Sequence, residues 1–145
     1  MINKPSSLVK PTLDTKFHID YDWWKREPTG AQDLRIYLLS HLLPEQRERI
    51  SQSVEGNVVD YIHPDTAEVF QLDELGLAIQ TAANDPNFIN PHTSLVDSVF
   101  RVFLANGNVP LSPRELADKT GRSAAVILKT FSGARVYNGI RPNLT

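Results

Sequence analysis

Residues 112–133 read SPRELADKTGRSAAVILKTFSG, and this stretch decides the fold of the last third of the chain. Ser112 and Glu115 have the Ser-x-x-Glu spacing of a capping box, and Pro113 stands at the first helical position, so the pattern predicts that a helix begins here. Gly121 tolerates the left-handed backbone that ends many helices, so the same helix is predicted to stop at this residue.

A second helix is predicted directly after the glycine. Ser123 is a favoured N-cap residue. The apolar face of this helix is formed by four residues: Val126, Ile127, Leu128 and Phe131. Two short helices joined by a tight glycine turn are typical of the helix-turn-helix motif.

The segment resembles the helix-turn-helix of bacterial transcription regulators. The resemblance rests on a small residue midway along the first helix (Ala117), a glycine four residues later (Gly121) and a branched apolar residue six beyond that (Ile127). Two positions depart from the family pattern, since Arg122 and Thr130 stand where the family commonly has apolar residues.

The next segment predicts a hairpin. Residues 135–141, RVYNGIR, place Asn138-Gly139 between apolar residues, which is the strongest short-range signal for a two-residue hairpin. A helix-turn-helix followed by a hairpin resembles a winged helix, with Asn138-Gly139 at the wing tip. Phe100 and Phe103, on an apolar helix predicted over 94–105, would complete its three-helix core.

The resemblance implies that the chain binds double-stranded DNA, with the second helix in the major groove. In the base-reading role, Arg122 would pair with guanine and the alanines would meet thymine methyl groups. The DNA-binding residues that follow from this assignment are Arg114, Lys119, Arg122, Ser123, Ala124, Ala125, Lys129, Thr130, Arg135, Asn138 and Arg141. The alternative is a non-enzymatic adaptor that uses the same fold to bind protein.

The charge of the chain is uneven along its length. From Pro110 onward there are six basic and two acidic side chains, a net charge of +4, whereas the first 109 residues carry nine basic and fifteen acidic side chains, a net charge of −6. A basic end is typical of a polyanion-binding surface. It would equally let the two halves, or two copies of the chain, attract each other.

The rest of the chain is predicted to be mostly helical, which makes the fold α+β. We expect a flexible tail over 1–16, a helical region with one hairpin over 17–91 and the winged helix over 92–145. The elements predicted before residue 92 are an extended entry at 17–21 leading into a short helix capped by Asp20, helices over 31–43 and from Pro44, strands at 58–62 and 68–72 around the turn HPDTA, and a helix capped by Asp73.

We expect a homodimer formed through the N-terminal helices, because one short recognition helix contacts few base pairs. The Trp23-Trp24 pair and a leucine-rich helix are available for it; the leucines are Leu34, Leu38, Leu39, Leu42 and Leu43. The alternative use of these leucines is the core within one chain.

Other classes of protein find little support in the sequence. The chain has no cysteine, which excludes disulfides and thiolate metal sites, and no apolar run of the roughly 20 residues that cross a bilayer. Without a signal-peptide pattern at its start, it is expected to be cytoplasmic. No nucleophile motif or phosphate-binding glycine loop indicates an enzyme, and no cofactor is expected. His18, Asp20 and Asp22 would share one face of a strand as metal ligands, unless Asp20 caps a helix.

Overall fold

The computed structural model describes residues 10–51, 58–62, 67 and 69–143, and within these ranges the fold is α+β, as predicted. Seven helices and four short strands occur there. In chain order they are β1 (Phe17–Ile19), α1 (Tyr21–Trp24), α2 (Gly30–Leu39), α3 (Pro44–Ser51), β2 (Val58–Ile62), β3 (Val69–Asp73), α4 (Glu74–Ala83), α5 (Leu95–Ala105), α6 (Pro113–Thr120), α7 (Ala124–Phe131) and β4 (Ile140–Pro142).

The chain divides into two units at places that differ from the predicted boundaries. Unit 1 combines Met1–Glu27 with Ile89–Thr145, and unit 2 is Pro28–Phe88. The segment before Pro28 therefore belongs with the C-terminal helices and not with the helical region that follows it. The physical reason is strand pairing, because β1 and β4 form one antiparallel sheet.

Strand β1 lies in the middle of the extended segments of unit 1. On one side Phe17 exchanges two backbone hydrogen bonds with Leu111, of 2.8 and 3.0 Å. On the other side His18 is paired with Arg141, and Ile19 with Ile140. Phe17 and Ile19 are both buried while His18 is only half-buried, which is the alternation of a strand with one face on a core.

The core of unit 1 is centred on α5, which matches the apolar helix predicted over 94–105. Ser94 caps it by accepting a hydrogen bond from the amide of Asp97, at 3.2 Å. The side chains of Val99, Phe100 and Phe103 are completely buried. Helix α6 packs on α5 and on α7. The buried side chains of the last two helices are Pro113, Leu116, Ile127 and Phe131.

The described part of the predicted tail over 1–16 contacts the start of α6. Residues 1–9 lie outside the described residues. Over 10–16, a turn joins Thr12 and Thr15, and the Lys16 ammonium forms an ion pair with the Glu115 carboxylate. This segment is therefore held against the start of α6.

Unit 2 contains the predicted β-hairpin and three helices. Strands β2 and β3 pair antiparallel from Val58↔Asp73 to Ile62↔Val69, within a residue of the prediction. Their predicted turn, HPDTA, lies outside the described residues except for Ala67. Asp73 caps α4 as expected, since its carboxylate accepts a 2.7 Å hydrogen bond from the Gly76 amide.

Helix α2 ends at Leu39, four residues before its predicted end. After this residue the backbone tightens, and the His41 amide bonds to the carbonyl of Leu38, three residues back. Pro44 explains the early end of the helix. Its ring clashes with a helical carbonyl group four residues earlier, and it disfavours the helical backbone conformation of Leu43. Of the predicted leucine stripe only Leu42 is fully buried, and Leu43 is exposed.

Candidate nucleic-acid interface

The helix pair has the local geometry that its sequence predicted. The Ser112 hydroxyl accepts from the Glu115 amide at 3.2 Å, and the Glu115 carboxylate accepts from the Ser112 amide at 3.0 Å, which completes the capping box. Gly121 is left-handed, with φ of 72°, and its amide bonds to the carbonyl of Ala117. Ser123 caps α7. A tight glycine turn thus presents α7 next to α6.

The outward side of α7 is small and mostly apolar. Ala125, Val126 and Lys129 are exposed, and Val126 keeps 50% of its surface accessible. Ala124 and Thr130 are half-buried, and the Thr130 hydroxyl donates to the carbonyl of Val126 at 2.8 Å. Because that hydroxyl is already engaged with the helix backbone, Lys129 is the one long donor on the exposed side of this helix.

Arg122 does not point outward as the sequence assignment required. Its guanidinium donates to the carbonyl oxygen of Thr93 and, at 3.3 Å, to that of Pro91. The side chain is half-buried in front of the loop that leads into α5. The positive charge of Arg122 is therefore satisfied by carbonyl oxygens of unit 1.

Two of the predicted phosphate-contacting arginines are paired with carboxylates of the N-terminal segment. Arg114 Nε lies 3.1 Å from Asp14 Oδ1, and Arg141 Nη1 lies 3.5 Å from Asp20 Oδ2. The sequence assignment missed both pairs, because the partners are a hundred or more residues apart in the chain. Each arginine would exchange a carboxylate for a phosphate if it contacted DNA.

The remaining cations of the assignment are exposed. Lys119 and Lys129 have no carboxylate within ion-pair distance in the part of the chain that the structure describes. Arg135 places its guanidinium carbon 4.9 Å from the centre of the Tyr137 ring, which orients the side chain without neutralising it. Within the predicted DNA-binding set, these three side chains are the cations open to a ligand.

The Asn138-Gly139 turn forms as predicted, with a very short ladder. Both residues have positive φ, 55° and 80°, which is the type I′ geometry that the Asn-Gly pair favours. Among the described residues, a single bridge between Tyr137 and Ile140 closes the turn. The hairpin predicted over 135–141 is therefore reduced to a single bridge around this turn, and β4 pairs with β1 instead.

The turn packs on the segment around α1 and is not a free tip. Trp24 Nε1 donates to the carbonyl of Asn138 at 3.1 Å, and the Asp20 amide donates to the carbonyl of Gly139 at 2.8 Å. Trp24 is buried, whereas Trp23 is half-buried and meets it edge-on, with ring centres 5.2 Å apart. One tryptophan of the pair therefore anchors the turn.

The carboxylate of Asp20 caps helix α1, which is the alternative to its interpretation as a metal ligand. It accepts a 3.0 Å hydrogen bond from the Asp22 amide at the start of α1. Across the described ranges, no group of three histidine or acidic side chains is arranged to hold a metal ion.

The division into units sharpens the charge asymmetry. Unit 1 has twelve basic and seven acidic side chains in its sequence, a net charge of +5, and unit 2 has three basic and ten acidic side chains, a net charge of −7. The positive charge therefore resides in the unit that carries the helix pair, and the N-terminal segment contributes to it.

Among the described residues, no helix is both long enough and apolar enough to span a membrane. Comparison of the chain with models of protein families, with curated proteins and with solved structures finds no match.

Proposed function

We propose that unit 1 binds double-stranded DNA through α7 and the cations around it, as a small transcriptional regulator or architectural factor. The observation that carries the proposal is the helix pair joined at Gly121, whose second helix has an exposed side, in a unit with a net charge of +5. Lys119, Lys129 and Arg135 supply open positive charge on this unit. Phosphate contacts of this kind make binding strong at low salt and weak at high salt.

The exposed side of α7 suits contacts with thymine methyl groups better than hydrogen bonds to bases. Ala125 and Val126 are apolar, and apolar side chains discriminate thymine by its methyl group. Arg122, the residue best suited to guanine, is bonded to backbone carbonyls of unit 1. We therefore expect phosphate contacts to dominate the affinity and base preference to be modest.

A homodimer formed through the helices of unit 2 belongs to the same proposal. A single short helix contacts too few base pairs for useful specificity, and two copies double the contact. On α2 the residues Leu34, Leu38 and Leu39 are half-buried and Ile36 is exposed, so apolar surface is available for a second copy.

The second candidate function is an adaptor that binds protein with the same helix. The observation that favours it is the apolar character of the exposed side of α7, where Ala125 and half-exposed Val126 are adjacent. Apolar surface of this kind is better suited to a protein core contact than to a phosphate backbone.

The DNA proposal is tested by fluorescence anisotropy with a random-sequence duplex, titrated at several salt concentrations. The variant K119Q/K129Q/R135Q removes the three exposed cations of the predicted interface that have no carboxylate partner among the described residues. We expect it to bind more weakly and to lower the slope of log affinity against log salt by about 2.7, which is three phosphate contacts at about 0.9 each. The matched control is K10Q/K25Q/R26Q, which removes three exposed cations from the N-terminal segment of the same unit.

Equal losses in the two triple variants would mean that net charge alone attracts DNA and would remove α7 from the interface. No measurable binding by the wild-type protein at low salt would overturn the DNA proposal and favour the adaptor. Light scattering tests the dimer, for which the mass of a single chain at micromolar concentration is the contrary result.

A further inference from the structure

We infer that Asp14 and Asp20 are internal counter-charges which restrain phosphate binding by Arg114 and Arg141. Both carboxylates belong to the N-terminal segment of unit 1, and both arginines belong to its C-terminal part. The inference rests on the proposed function only for naming DNA as the polyanion that competes with them.

The first pair is held in place by backbone and side-chain contacts around it. The Arg114 amide donates to the carbonyl of Leu13 at 3.4 Å, and the neighbouring Lys16 is paired with Glu115. Asp14 is thereby placed beside Arg114, although the side chains keep 79% and 61% of their surface exposed. An exposed pair of this kind is weak, so a phosphate can displace the carboxylate.

The second pair is more firmly fixed. Asp20 follows β1 directly, and the register of β1 with β4 brings it close to Arg141. Its carboxylate also caps α1 and its amide bonds to the carbonyl of Gly139, so its position does not depend on the arginine. Only 29% of the Asp20 side chain is exposed. The negative charge therefore stays beside Arg141 whether or not the arginine is engaged.

A bound polyanion would have to replace both carboxylates. When an arginine leaves its carboxylate for a phosphate, the phosphate releases a counterion, but the freed carboxylate attracts a cation from solution. The second event cancels part of the first, so the wild-type protein should show weaker affinity and a shallower salt dependence than the same surface without the carboxylates.

Substitution by asparagine tests this with little disturbance. Asparagine has the shape of aspartate and caps helices equally well, so D14N/D20N should retain the cap on α1. Two control variants, D14N/D22N and D20N/D22N, have the same net charge as D14N/D20N. A third control, D22N, gives the effect of removing one negative charge. Asp22 is exposed in the same segment and pairs with Lys25 rather than with an arginine, so its loss makes the same change in net charge.

Two polyanions are used as probes: the random duplex, and heparin immobilised on a column. We expect D14N/D20N to bind duplex roughly three- to tenfold more tightly than wild type, because two ion pairs worth a small factor each are removed. Its salt slope should steepen by up to about 1.8, which is two contacts at about 0.9 each. It should elute from heparin at higher salt than D14N/D22N and D20N/D22N, which have the same net charge, and the gain over these controls should disappear when R114Q/R141Q is added.

The outcomes separate this inference from the proposed function. Later elution from heparin without duplex binding by any variant would support the counter-charges and overturn DNA as the ligand. In another outcome, wild type binds the duplex while D14N/D20N gains no more affinity than two charge changes of the D22N kind predict. That result would overturn the counter-charges and leave DNA binding intact. No retention of any variant on heparin, or a gain that persists in R114Q/R141Q, would also overturn the inference. Circular dichroism confirms that each variant is folded.

Discussion

Replacing Gly139 with alanine measures how closely the Asn138-Gly139 turn packs on the segment that carries Trp24. A methyl group built on Gly139 would lie 2.9 Å from the carbonyl oxygen of Asp20 and 3.0 Å from Trp24 Nε1. The first contact is with backbone. The second is with a buried indole that donates a hydrogen bond to Asn138, so neither neighbour can move without losing a contact.

The expected cost has two parts. The left-handed backbone of Gly139, with φ of 80°, costs a non-glycine residue about 1–2 kcal/mol. Overpacking at a tight contact adds about 1–3 kcal/mol. Gly121 is the matched control, since it has φ of 72° and nothing within 4 Å of an added methyl group. G121A should therefore show the first part alone, and G139A should be less stable than G121A by about 1–3 kcal/mol.

Equilibrium unfolding in urea, followed by tryptophan fluorescence, gives the free energy of unfolding of each variant. Fluorescence is a suitable signal because Trp24 loses its buried environment when unit 1 unfolds. If G139A and G121A lose the same free energy of unfolding, the turn does not pack on Trp24 and Asp20, and the reasoning above is refuted.

Two further predictions concern α6 and α7. R122A should lower the free energy of unfolding by about 1–3 kcal/mol, since it removes the donors that satisfy the Thr93 and Pro91 carbonyls; unchanged stability in urea with a loss of DNA affinity would instead place Arg122 at the DNA. The hydrogen bond from Lys16 is the main cause that lowers the pKa of Glu115 below its ordinary 4.5, so the ionised form stabilises the fold above that pH and the effect is lost as the pH falls through the folded-state pKa. E115Q should therefore lower the free energy of unfolding at pH 7, and with it the melting temperature; the loss should be at most about 1 kcal/mol because the pair is exposed. Near pH 2 the melting temperature of E115Q should equal that of wild type. A difference in melting temperature that persists near pH 2 contradicts this explanation.

The parts of the fold that the sequence predicted depend on short-range signals. The capping box at Ser112, the left-handed Gly121 and the Asn138-Gly139 turn are each set by residues within four positions of one another. Backbone conformation and caps are local properties, so a single sequence suffices for them.

The parts that it did not predict depend on contacts between distant residues. Phe17 is bonded to Leu111, but nothing near Phe17 specifies which strand it joins. Arg122 turns inward because the carbonyls of the loop at 91–93 lie within its reach, and helical periodicity carries no information about that loop. The same limitation hid the carboxylate partners of Arg114 and Arg141.

The order of the segments has a consequence for synthesis on the ribosome. Strand β1 is synthesised before unit 2, and its partner β4 is synthesised after unit 2. Strand β1 therefore has no β4 to pair with while more than half of the chain is translated. The described helices and strands of unit 2 all lie within 28–88, so that unit can fold in the interval. Until the C-terminal part of unit 1 emerges, Phe17, Ile19 and Trp24 lack neighbours that bury them. The nascent chain therefore carries apolar surface for most of its synthesis, which is the kind of segment that chaperones bind and that aggregates when folding is slow.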